Sequence, residues 1–188
     1  MVEFKWIITE EAIRPDVEDN YGVTDEIPYL DGWFEMILNG KRVIPGFPLV
    51  DEALNHTVNF DIPPAGDYIS EWFEFFFEVM NLNPYQTVIC KPVDTPVLFY
   101  QFARETETLQ VSQLRDEEKI AELKKNSHHS SGWNGPEEWS ETVSYDEFCQ
   151  ECKDTIRKCL EVVFEVNPQM RNNSYMKKLS ERLQFFEE

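Results

Sequence analysis

The residues with chemistry to offer are few. Cys149 and Cys152 form a Cys-x-x-Cys pair, a spacing shared by zinc sites and dithiol redox sites. A structural zinc site needs four ligands, and the other cysteines are Cys159, two turns further on, and Cys90. Cys149, Cys152 and Cys159 fall on or beside the apolar face of one predicted helix. Their expected role is that of small buried hydrophobes, with no metal and no cofactor. Glu52 and His56 stand four apart, a spacing that puts a carboxylate and an imidazole on one helix face. Such a pair can bind metal or shuttle a proton, but the His-Glu-x-x-His pattern is absent.

Other chemical patterns fail on inspection. The acidic run Asp16, Glu18, Asn20, Gly22 has the flavour of a calcium loop. An EF-hand counted from Asp16 would need glycine where Tyr21 stands and glutamate where Ile27 stands. His128 and His129 lie in a Ser/Gly-rich stretch and read as surface loop. There is no P-loop, no G-x-G-x-x-G after a strand and no G-x-S-x-G. No residue is assigned to catalysis. Trp33, Phe34, Trp72 and Phe75 belong to amphipathic patterns and read as core. Trp133 lies in a polar stretch instead, which makes it a candidate partner contact.

The charge speaks more clearly. The chain of 188 residues carries 36 acids against 17 bases, a net of −19. Such a chain repels nucleic acid and anionic membranes, which are bound by displacing counterions with Lys and Arg. It attracts basic partners, with steering that weakens as salt rises. Residues 1–100 hold 18 acids and 5 bases, and between Glu10 and Glu35 there are nine acids and one base. Glu10, Glu11, Asp16, Glu18, Asp19, Asp25 and Glu26 are therefore the candidate partner-binding residues. Acidity that merely keeps the protein soluble is the alternative. The start, MVEFKWIITEE, has neither a basic leader nor a long apolar run, and no stretch approaches the roughly 18 apolar residues of a membrane span. A cytoplasmic protein with free thiols is expected.

The elements that must position these residues fit one α+β domain over 1–188, with an acidic loop region at 10–31 and a flexible insertion at 116–138. Val2 to Thr9 alternates as a strand. Phe34 to Leu38 and Lys41 to Ile44 flank Asn39-Gly40, the signature of a type I′ hairpin. Leu49 to Val58 has helical spacing, and a helix capped by Asp67 should run to Met80 with Glu71, Glu74 and Glu78 as its polar stripe. Tyr85 to Cys90 reads as a strand. Val97 to Ala103 and Leu109 to Leu114 read as a second hairpin. Asp116 to Lys125 reads as a short helix, and Trp139 to Val143 as a last strand. Ser144 and Glu147 form an S-x-x-E capping box for a long helix that Asn167-Pro168 ends, and a final helix starts near Asn173. The sum is an antiparallel sheet built from hairpins, with an aromatic-rich helix and a C-terminal helix pair packed on it.

In overall character the chain resembles the immunity proteins of bacterial polymorphic toxin systems. The features that carry this are the Asn39-Gly40 hairpin, the aromatic helix of Asp67 to Met80 and the Ser144-capped helix pair. The resemblance implies a non-enzymatic protein that neutralises a toxin by binding over its active site. Nuclease toxins are basic, which would give the acidity a purpose. An enzyme with an acid/base or metal site of scattered residues is the alternative, and would bring Glu52 and His56 together in a pocket. An uncharacterised accessory domain is another.

Overall fold

A computed structural model describes residues 1–9, 13, 30–44, 56–59, 67–91, 98–115 and 139–186. The seven acidic candidates, Trp133, Glu52 and the proposed helix at 116–125 lie outside the described residues.

The fold is α+β. One sheet has the order β3-β2-β1-β4, built from β1 (Val2–Thr9), β2 (Asp31–Leu38), β3 (Lys41–Ile44) and β4 (Thr57–Asn59). β5 (Asp67–Tyr68) joins it against β2. The second sheet runs β6 (Thr87–Cys90), β7 (Leu98–Arg104), β8 (Thr108–Arg115), β9 (Ser140–Ser144). The helices are α1 (Ile69–Met80), α2 (Tyr145–Val166) and α3 (Ser174–Phe185).

Both predicted hairpins form. Asn39 and Gly40 take φ of 53° and 78°, the positive pair that a type I′ turn demands. β7 and β8 pair in register from Leu98↔Arg115 to Arg104↔Leu109. Where one antiparallel sheet was expected there are two, and β4 runs parallel to β1. The helix expected up to Val58 is corrected at its end. Thr57 and Val58 are β-branched and pair with Ile7 and Ile8, and His56 before them has φ of 58°, which no helix tolerates. The start of α1 also shifts. Asp67 pairs with Gly32 as strand, and the Ile69 amide bonds the Leu30 carbonyl at 2.9 Å, so Asp67 is not the cap and the helix begins at Ile69.

One apolar cluster joins both sheets to all three helices. Phe4 of β1 stacks on Phe76 of α1 at 4.8 Å and meets Phe148 of α2 edge-on at 5.5 Å. Phe102 of β7 closes on Phe148 at 5.7 Å, and Phe34 of β2 stacks on Trp72 at 4.8 Å. The wide apolar face of α1 is thus covered, with Ile69, Trp72, Phe73, Phe76, Phe77 and Val79 buried. Its Glu74 pairs with Arg182 of α3, whose guanidinium lies 4.0 Å above the Phe77 ring.

The end of α1 is held by α2 and β7. The Tyr145 hydroxyl lies 2.8 Å from the Met80 carbonyl and 3.0 Å from that of Val79, and Arg104 donates to the Leu82 carbonyl while stacking on the Tyr145 ring. These bonds satisfy carbonyls that a helix terminus leaves open.

Candidate functional site

A cleft of about 400 Å³ opens between His56 and α2, lined by Glu151, Asp154, Thr155, Arg157, Lys158 and Glu161. Its position follows from β1. Strand β4 covers the β1 edge from Ile7 onward, leaving the edge at Val2 and Phe4 to be closed by something else. Helix α2 closes it with two carboxylates one turn apart. Glu147 accepts the Val2 amide at 3.2 Å, and Glu151 accepts the Phe4 amide at 3.1 Å. An i, i+4 pair on a helix here matches an i, i+2 pair on a strand, because 6 Å separates both kinds of neighbour, roughly.

His56 completes the closure. Its Nε2 lies 3.0 Å from the Phe4 carbonyl oxygen. A carbonyl only accepts, so Nε2 carries the proton that it donates there. The His56 amide bonds the Trp6 carbonyl at 2.8 Å, and its ring lies 5.1 Å from that of Trp6. The positive φ of His56 is what allows backbone and side chain to reach β1 together.

The electrostatics of the cleft are those of a seal. Burial, the largest cause, pushes the Glu151 carboxyl above the ordinary range; the Phe4 amide opposes this, and Asp154, Glu3 and Glu147 add to it. On the rim, Asp154 is held by Arg157 and by Gln150 at 3.0 Å, and Lys158 lies 4.0 Å from Glu161. The sequence singled out His56 but missed Glu151, which lines the same cleft; the expected pairing of His56 with Glu52 falls outside the described residues. The i, i+4 spacing of Glu147 and Glu151 on α2 is shared by many acids of this chain and did not mark them out.

The capping box is half formed. Ser144 Oγ accepts the Glu147 amide at 3.3 Å, while the Glu147 carboxylate, expected to turn back to Ser144, bonds Val2 instead. The cysteines sit in the core as predicted. Cys90, Cys152 and Cys159 are buried and free, and Cys149 is half-buried beside Tyr145. Burial raises all four thiols. Among the described residues, no group of three or more His, Cys, Asp or Glu is placed to hold a metal ion, and no helix is long and apolar enough to cross a membrane.

The charge is divided unevenly. The described residues include 17 of the 36 acids and 13 of the 17 bases, a net of −4. The other segments carry 19 acids and 4 bases, or −15 of the total −19. Most of the net negative charge therefore lies outside the described residues.

No family model, curated protein or solved structure matches the chain.

Proposed function

We propose that the chain is a non-enzymatic binding protein that occludes a basic protein partner, with a toxin-neutralising immunity protein as its concrete form. The observation that carries this reading is the charge division. The described residues carry a net of −4, while the remaining segments bring −15. Charge of that density repels like surfaces and steers a basic protein into contact. The candidate contacts remain Glu10, Glu11, Asp16, Glu18, Asp19, Asp25 and Glu26, with Trp133 as an apolar anchor.

The test is capture from the native host's lysate at low and moderate salt, beside a variant with those seven acids changed to Asn or Gln. One basic protein held by the native chain, released by salt and lost by the variant, is the expected outcome. Equal capture by both chains would sink the electrostatic reading.

A second reading rests on the cleft, where a histidine with positive φ and a carboxyl raised by burial share one opening. It is weaker, because both groups already bond the backbone of Phe4. His56→Ala would have to abolish a measured activity without unfolding the chain.

A further inference from the structure

Among the described residues, the edges of β3, β1 and β9 carry identifiable guards. Lys41 and Arg42 put charge along β3, a common defence against strand addition. Glu147 and Glu151 seal β1. The β9 edge is met by Asn39, whose Nδ2 donates to the Thr142 carbonyl at 3.1 Å, and by Lys41, 3.2 Å from Glu141. β6, the terminal strand of the second sheet, has no such guard among the described residues, and Thr87-Val88-Ile89-Cys90 carry no charge.

The backbone of β6 is presented for pairing. Arg104 donates to the Gln86 carbonyl at 2.9 Å, and Val88 and Cys90 stand opposite Phe102 and Tyr100 in the same alternation. Thr87 and Ile89 therefore direct their amides and carbonyls away from β7. Ile89 is also 56% exposed.

The entry to β6 is strained. The Gln86 amide bonds the Asn83 carbonyl at 3.1 Å, closing a turn with Pro84 second and Tyr85 third. Tyr85 has φ of 67°, where a type II turn takes glycine, and is 80% exposed. A large aromatic held in a glycine conformation and directed to solvent has no role in the core. Strain of this kind points to a contact made elsewhere.

The surroundings select the occupant. Glu105 adjoins Arg104, whose carbonyl accepts the Tyr85 amide at 2.7 Å, and Glu78 lies near Cys90 at the other end. Lys91, the base beside them, is turned over the Phe99 ring at 5.5 Å. A second copy, itself of net charge −19, would approach against like charge. A strand flanked by Lys or Arg brings the opposite charge.

We propose that the outer edge of β6 takes up an extended, apolar segment of the protein partner, flanked by basic residues, as an added strand beside Tyr85 and Ile89. This rests on the binding reading above.

The test uses the full chain and a synthetic peptide of alternating valine and threonine with paired lysines at each end, beside a twin with glutamates in place of the lysines. Hydrogen exchange is followed by NMR. The lysine-flanked peptide should slow exchange at Thr87 and Ile89 by about tenfold or more. The glutamate-flanked twin should not, and Ile89→Lys should remove the effect at an unchanged melting temperature. Protection elsewhere, equal protection by both peptides, or none overturns the proposal. Protection without peptide that grows with protein concentration also overturns it, in favour of a second copy. Failure here and failure of the broader reading stay separate. If salt-dependent capture of a basic partner survives in Ile89→Lys, the edge is excluded and the acidic reading stands.

Discussion

Glu151 of α2 accepts the backbone amide of Phe4 at 3.1 Å, across 147 residues of sequence. A helix side chain thereby finishes a strand, and the long helix is tied to the first strand by more than apolar contact. With burial as its main cause, the carboxyl is raised, so the folded chain holds this proton more tightly than the unfolded chain does. The sign follows from linkage: the contribution to stability is full below the ordinary value of 4.5 and is lost as pH rises through the raised folded value. Melting curves from acid to neutral pH should show this decline, and Glu151→Gln should flatten it. An unchanged slope in the variant would assign the pH dependence to other groups.

The cap on α1 gives a second prediction. Tyr145→Phe removes the hydroxyl that lies 2.8 Å from the Met80 carbonyl and leaves buried carbonyls with fewer donors. A loss of about 1–3 kcal/mol is expected in urea unfolding. A loss near zero would mean that Arg104 alone satisfies this helix end.

The cysteines give a third. Burial raises the thiols of Cys90, Cys152 and Cys159, and only the thiolate attacks disulfide reagents. A thiol reagent should leave these three unmodified in the folded chain and modify them once denaturant is added. Chelator treatment should leave the melting temperature unchanged. Stoichiometric zinc, with a fall in melting temperature on its removal, would return the Cys149-Cys152 pair to metal chemistry.

Gly32 supports a fourth. A Cβ there would run into the Ile7 carbonyl oxygen and the Ile69 side chain, because β2, β1 and the start of α1 meet at this residue. Gly32→Ala should cost about 1–3 kcal/mol through overpacking, read as a lower urea midpoint. A stability equal to that of the native chain would show that α1 can shift to make room.

Local signals were legible wherever a few neighbouring residues decide the outcome. Asn39-Gly40 specified its turn, Ser144 and Asn167-Pro168 bounded α2, and the face of α1 predicted its burial. Elements decided by distant partners were not legible. Thr57 and Val58 are strand because Ile7 and Ile8 pair with them, and helical spacing within Leu49 to Val58 holds no trace of that. Glu147 read as half of a capping box because the local pattern is complete, yet its carboxylate serves Val2 from 145 residues away. Glu151 was one acid among 36 and gave no local sign of its partner. The strain at Tyr85 arises from a turn that Asn83-Pro84 only partly announces.

The proposed role of the acidity is to engage a partner. Its most direct measurement is the affinity of the captured basic protein for the native chain and for the chain with Glu10, Glu11, Asp16, Glu18, Asp19, Asp25 and Glu26 neutralised, across a range of salt. The expected result is a 1:1 complex whose Kd rises steeply with salt for the native chain, and a variant weaker by about tenfold or more with a flatter salt dependence. Equal affinity and equal salt dependence in the two chains would contradict it.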